Sequence, residues 1–313
     1  MRVAVTGANG FVGRAVCKAL TASKHTVRPL IRHPDEVAWP EAMSVGAIDA
    51  RTDWKEALSG IDCVVHCAAR VHVMEETEAD PLAAFRAVNV LGTRHLAQEA
   101  ARSGVKRFIF LSTLKVHGES TRPGHPFRVS DPACPSDPYG LSKWEGEQAV
   151  MAVAQHSHMA CVVIRPPLVY GPGVKANFAR LLKVVSQGIP LPLGGIDNRR
   201  SMVNLGNLTD LIAVCTQHPA AAGQTFLVSD GQDVSTPELL RCMGRALGKP
   251  ARLVAVPPAW LQLIGRLSGR QAQIDRLTGS LQVDIGHTTE VLGWKPRTNL
   301  YQAMQELVQA EKT

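Results

Sequence analysis

The stretch Asp137-Pro138-Tyr139-Gly140-Leu141-Ser142-Lys143 places a phenol four positions ahead of an ammonium, in a chain with only three tyrosines. Residues four apart lie on one helix face and can act together. A phenol beside a positive charge is suited to moving a proton to and from a neighbouring oxygen. With 34 basic residues among 313, the same pairing also arises by chance as a packed ring next to a surface lysine. The surrounding motifs therefore decide between the two readings.

Gly7, Gly10 and Gly13, in VAVTGANGFVGRAV, stand between an apolar run and a helix-patterned segment. A tight turn there brings backbone amides and a helix N-terminus against a pyrophosphate, and side chains would block that approach. Its place at the first strand-to-helix junction favours dinucleotide binding over a plain turn. NAD calls for an acidic residue at the end of the second strand, where it binds ribose hydroxyls. The sequence instead reads Ile31-Arg32, and an arginine there can pair with a 2′-phosphate or stay solvated. NADP is accordingly favoured slightly over NAD. Asp35 comes late for a ribose contact. Asp49 could accept from the adenine amino group or cap the next helix.

The segments RVAVT, TVRPLI, MSVGAI, DCVVHCA, KRFIFLS and ACVVIR read as six strands separated by helical patterns. Continuously apolar strands suit a sheet covered on both faces, with right-handed crossovers. The expected fold is α/β, a doubly wound parallel (Rossmann) sheet over residues 1–167, rejoined by about 203–228, with a smaller, partly interleaved α/β substrate lobe over 168–313. Ligands of such sheets bind beyond the carboxyl ends of the strands, at the switch in strand order. Helical patterns near 177–187, 207–217, 236–247, 257–268 and 299–311 fill the second part. The apolar stripe in PPAWLQLIGRL could touch a membrane surface, but docking onto its own lobe is the favoured reading.

A 45% hydrophobic, 19% charged composition fits a globular chain rather than a disordered one. No apolar run approaches the length of a bilayer span, and MRVAVTG enters a strand without a signal-peptide pattern. Seven cysteines, an odd number without paired metal spacings, point to reduced thiols in the cytoplasm and to no metal site; Cys63 and Cys67 read as buried strand residues. The net charge of +7 leaves room for an anionic ligand. Without a long basic run or an aromatic ladder, nucleic acid is not the expected partner.

Five motifs, TGANGFVG, VVHCAA, VNVLGTRHLAQEA, FIFLSTLKVHGE and DPYGLSK, occur in this order. Together they resemble the extended short-chain dehydrogenase/reductase superfamily, and within it the nucleotide-sugar epimerases, dehydratases and reductases. The similarity spans nearly the whole chain. It implies a cofactor site built from Gly7, Asn9, Gly10, Phe11, Val12, Gly13, Ala68, Ala69, Asn89 and Lys143, beside Arg32 and Asp49. It also implies catalysis by Thr113, Tyr139 and Lys143. Tyr139 would exchange a proton with a sugar oxygen as a hydride moves at the nicotinamide. Lys143 would acidify the phenol and hold the nicotinamide ribose. Thr113 would hydrogen-bond the reacting oxygen, with Ser112 in reserve. Bringing a phenol from about 10 to about 7 takes about 4 kcal/mol, expected from Lys143 and the oxidised nicotinamide together.

In the second lobe, Asn177 and Arg200 resemble the family's diphosphate contacts, with Arg199 less favoured, and PLPLG (190–194) resembles the strand that reads uracil through backbone groups. The implied substrate is a UDP-sugar, and relatives often form homodimers through the tyrosine helix. His117 stands where the family has tyrosine, a packing difference in the favoured reading. The Arg-Tyr-Phe-Asn string of many hexose 4-epimerases is absent, with Tyr170 either a partial substitute or a loop residue. Leu114, with no Asp-Glu pair after Thr113, disfavours a dehydratase. The expected reaction is hydride transfer at C4 of the sugar. First comes reduction of a UDP-4-keto-6-deoxy-N-acetylhexosamine in surface-polysaccharide synthesis. Second is 4-epimerisation of UDP-glucose or UDP-N-acetylglucosamine. Third is a non-catalytic NADP-binding sensor or scaffold, which the intact Thr113, Tyr139 and Lys143 oppose.

Overall fold

The fold was read from a computed structural model that describes residues 1–33, 39, 41–71, 80–174, 176–269 and 271–310. The first part runs β1 (Arg2–Thr6), α1 (Phe11–Ala22), β2 (Thr26–Ile31), β3 (Met43–Ser44), α2 (Lys55–Leu58), β4 (Cys63–His66), α3 (Pro81–Arg86), α4 (Thr93–Arg102), β5 (Arg107–Leu111), α5 (Pro138–Gln155) and β6 (Ala160–Arg165). A π-helical turn, Ala87–Gly92, joins α3 to α4. The second part runs β7 (Leu168–Tyr170), α6 (Ala176–Ser186), β8 (Met202–Asn204), α7 (Leu205–Gln217), β9 (Thr225–Leu227), α8 (Thr236–Ala246), α9 (Pro258–Leu267), α10 (Gln271–Thr278), α11 (Gly286–Leu292) and α12 (Leu300–Ala310).

Seven of these strands form one parallel sheet in the order β3-β2-β1-β4-β5-β6-β9, and β7 pairs with β8 in a second. Each strand has two apolar faces because both are covered. Val3, Val5, Cys63, Val65 and Ile109 point to the side packed by α1 and α7. Ala4, Val64, Phe108 and Phe110 point to the side packed by α2, α4 and α5. Direction of growth changes between β1 and β4, so a crevice opens beyond their carboxyl ends.

All six expected strands are present. MSVGAI shortens to two residues, because Gly46 turns at φ +69° just after Val45 donates to Ile31. The five expected C-terminal helices fall within two residues of their predicted ends. A separate core of Tyr170, Phe178, Leu182, Leu240, Met304 and Leu307 gathers α6, α8 and α12. α10 and α11 were not expected. α10 (QAQIDRLT) is mostly polar, and α11 has only seven residues, so neither shows a sustained apolar period.

Candidate functional site

The glycine turn is held by contacts with itself. Gly10 N donates to Gly7 O at 2.8 Å. A Cβ on Gly13 would lie 2.1 Å from Gly7 O, and Gly7, at φ +66°, would bring a Cβ within 2.9 Å of Ala68 Cα. The tight turn itself therefore requires these glycines, since a side chain would clash with the chain before it met a ligand. α1 begins with no side-chain cap and no acidic residue in its first turn, which leaves donors and a positive dipole end for an anion.

That N-terminus opens on a cleft of about 650 Å³ lined by Gly7, Gly10, Phe11, Val12 and Gly13. Further round its wall come Arg32, Ala68, Ala69, Ser112, Thr113, Tyr139 and Lys143. Both amide atoms of Asn9 are buried without a protein partner. Buried polar atoms are nearly always satisfied, so a ligand or its bound water fits there. These features suit the diphosphate of a dinucleotide.

Asp137 caps α5 by accepting from Gly140 N at 2.9 Å, and Pro138 follows at the first helical position. Tyr139, Lys143 and Glu147 then recur every four residues on one face. α5 fits closely because Gly146 has no side chain: a Cβ would lie 2.5 Å from Asn89 O. The Lys143 ammonium sits 4.0 Å from the Phe110 ring centroid. Burial pushes the Tyr139 phenol up to about 12, with Asp137 adding to the rise. Burial lowers the Lys143 ammonium to about 7, against the attraction of Glu147. In the protein alone the phenol is therefore not acidic, because loss of water penalises both charged forms.

Glu147 is fully buried and clamps Arg165 through two hydrogen bonds, 3.0 Å to Nε and 2.6 Å to Nη2. Ser112 donates its hydroxyl to the same carboxylate. Ser112 is therefore corrected from reserve catalyst to a member of this buried network, although it borders the cleft. Thr113 borders the cleft too, and its hydroxyl accepts from Lys115 N at 3.3 Å. His117 lies 2.8 Å from Arg165 Nη1 through Nε2 and stacks on Phe127. Burial and the neighbouring guanidinium lower it to about 4, so it is a neutral acceptor near pH 7.

Sequence reasoning did not find His66. Its ring is held between Thr6 (2.7 Å at Nδ1) and Thr93 (3.0 Å at Nε2), and burial lowers it to about 3. Thr6 also accepts from Ala68 N, so this chain supports the cleft wall. The two histidines make acid destabilising. Unfolded rings take a proton near the ordinary histidine value of 6.5, whereas the folded rings stay neutral until about 4 or below. As pH falls from about 6.5 the unfolded state binds more protons, and stability drops by up to about 1.4 kcal/mol per pH unit per ring. Urea unfolding across this range would show it; a flat profile, or one unchanged in His66→Asn, would refute it.

Asn89, expected to face the cofactor, is corrected to a buried brace. Its Oδ1 accepts from Arg70 N at 2.9 Å, and its Nδ2 donates to Arg70 O and Ser142 Oγ, both at 3.0 Å. It thereby ties the wall after β4 to the tyrosine helix. Asp49 accepts from Arg51 N at 2.7 Å in a local turn and does not line the cleft. Asp35 lies outside the described residues, as does the side chain of Asn177 at the start of α6.

Among the described residues the cleft lining ends at Val169. Arg200 lies apart from it, donating from Nη1 to the carbonyls of Arg276 and Gly279 at 2.9 and 3.0 Å. The backbone of PLPLG is partly consumed: Leu191 N donates to Arg252 O, Gly194 N donates to Val254 O, and Leu191 O accepts from Val254 N. Those groups are committed to the neighbouring strand-like segment, which leaves the other backbone groups of 190–194 for the expected base contact. Tyr170 belongs to β7, fully buried, and donates to Asp230 at 2.7 Å rather than to a substrate.

A glycine turn at a strand-order switch, beside a tyrosine and lysine one helical turn apart, defines a dinucleotide-dependent short-chain dehydrogenase/reductase. The chain belongs to the NAD dependent epimerase/dehydratase family, whose model matches residues 3–229, and is an enzyme of that family. A UDP-glucose 4-epimerase of Vibrio cholerae is 50% identical over 310 residues, covering 98% of this chain and 94% of the relative. Two solved structures share the fold over 100% of this chain and 99% of theirs. One is a UDP-glucuronic acid 4-epimerase from Bacillus cereus in complex with NAD, 20% identical with a TM-score of 0.79. The other is a UDP-glucose 4-epimerase from Thermotoga maritima with UDP-glucose, 21% identical with a TM-score of 0.78.

Proposed function

We propose that this enzyme interconverts the C4 epimers of a UDP-hexose, UDP-glucose or UDP-N-acetylglucosamine. The observation that carries the reading is the 50% identity to a UDP-glucose 4-epimerase along 98% of the chain. It reverses the order reached from sequence, which put reduction of a 4-keto sugar first. The buried Leu114 after Thr113 disfavours elimination, since no acid stands there.

A bound nicotinamide supplies a hydride acceptor and donor that is not consumed. Tyr139 takes the proton of the C4 hydroxyl and returns it, Thr113 orients that oxygen, and Lys143 holds the ribose side of the cleft. Residues 168–313, less the stretch 203–228 that rejoins the main sheet, form the substrate lobe, with Asn177 as its diphosphate contact and Arg200, held by the carbonyls of Arg276 and Gly279, set apart from it. The test mixes purified enzyme with UDP-glucose and follows products by chromatography beside nicotinamide absorbance. UDP-galactose formed with no net absorbance change is expected. Stoichiometric consumption of NADPH or NADH with a 4-keto UDP-sugar, and no epimer, would restore the reductase reading.

Arg32 lines the cleft at the end of β2, and its guanidinium suits a 2′-phosphate. Arg32→Ala should weaken NADP at least tenfold while leaving NAD within about twofold. Equal loss of both, measured by fluorescence titration, would show that Arg32 holds a part they share.

A further inference from the structure

We propose that the outer face of α9 docks this enzyme onto the anionic surface of a phospholipid bilayer. α9 is apolar on two sides, and its own lobe covers one of them. Leu261 is buried, and a Cβ on Gly265 would lie 2.8 Å from Ile274 of α10. On the opposite side Trp260, Leu263, Ile264 and Leu267 are 61, 49, 54 and 81% exposed, and Val254, just upstream, is 52% exposed. Their spacing is that of a continuous helical stripe. The expectation that this segment docks inward therefore holds for one side only. A contiguous apolar stripe in water marks an interaction surface, and Trp beside Leu and Ile is the composition of helices that lie in a bilayer interface. Among the described residues no helix is long and apolar enough to cross a membrane, so the contact is peripheral.

Charge selects the occupant. Residues 241–276 contain seven basic side chains and one acid, Asp275, leaving 27 basic and 26 acidic residues of the chain's 34 and 27 elsewhere. Nearly the whole net charge of +7 is thus concentrated in the segment that contains α9. Arg241, Arg245, Lys249, Arg252, Arg266 and Arg276 are all exposed. A second copy seated on the stripe by two-fold symmetry would bring these cations together and be repelled. Arg266 shares α9 with the stripe, and anionic headgroups would attract the exposed cations of this segment, where a second copy would not.

Flotation of the full chain with phosphatidylglycerol-containing vesicles tests this, against pure phosphatidylcholine vesicles. Co-flotation with the anionic vesicles at low salt is expected, reduced about tenfold or more by high salt and by Leu263→Glu with Leu267→Glu. A blue shift of tryptophan emission on binding should vanish in Trp260→Phe. UDP-sugar turnover and the unfolding midpoint of these exposed variants should match the parent, showing that they are folded. Absence of flotation with phosphatidylglycerol, or flotation undiminished by the paired glutamates, overturns the proposal. So does an oligomer in sedimentation that the same glutamates dissociate, or an acidic protein that binds the stripe while vesicles do not.

Discussion

Tyr139→Phe should lower turnover about 10³-fold while cofactor affinity changes less than about threefold, because it removes a proton carrier and little else. The ring would keep its place, packed edge-on to Phe85 at 6.0 Å. Tyr139 lines the cleft, and burial pushes its phenol up to about 12 in the protein alone, too high to act as a base near neutrality. Reaching about 7 takes roughly 7 kcal/mol of preferential phenolate stabilisation. Lys143, itself near 7, carries only part of a charge there and loses it as pH rises further. The remaining stabilisation must arrive with the positively charged nicotinamide. Adding oxidised cofactor at about pH 8 should therefore release a proton, detectable with an indicator dye, and the release should vanish in Tyr139→Phe. A near-normal rate in this variant, or equal proton release from it, would remove the acid–base role.

Glu147→Ala should destabilise the fold by about 3–5 kcal/mol, because it strands a buried guanidinium. Glu147 is fully buried and Arg165 nearly so, and the carboxylate also accepts from Ser112. A cavity would add to the cost. Replacing both charged partners, as Glu147→Leu with Arg165→Met, should recover much of the loss, since no isolated charge remains. Urea denaturation of the two variants would measure this. A loss below about 1 kcal/mol in Glu147→Ala, or a double variant less stable than the single, would show that the pair is not holding the core. Because Glu147 lies one turn beyond Lys143, the single variant should also shift the alkaline limb of the rate profile to lower pH, by removing a charge that favours the ammonium.

The sheet was legible because its strands are apolar on both faces and its first turn is written in glycines, two patterns that need no tertiary knowledge. Tyr139, Lys143 and Thr113 were legible by spacing and motif, and they do meet in the cleft. Glu147 continues the same four-residue spacing, yet a glutamate at a helical interval reads as solvent-facing until the burial of that face is known. Arg165 ends β6 as an ordinary strand-terminal cation in sequence, and its partner lies 18 residues away on a different element. His66 and Asn89 were hidden differently. Their partners, Thr6, Thr93, Arg70 and Ser142, come from separate segments, so no local pattern announces that these polar side chains brace the cleft. The second lobe was least legible, because its loop backbones are occupied by pairings between distant residues such as Leu191 and Leu253.

The π-helical turn at Ala87–Gly92 amounts to one surplus residue wedged into an otherwise continuous rod. Deleting any single position there would let an ordinary helix re-form with its flanks in phase, but would turn the side chains of the segment itself, Asn89 among them, to new directions. Asn89 could not then keep hold of both Arg70 and Ser142, and the cleft wall would come loose from the tyrosine helix. Natural length variation among descendants of this gene should accordingly spare these six positions, even where neighbouring segments grow or shrink.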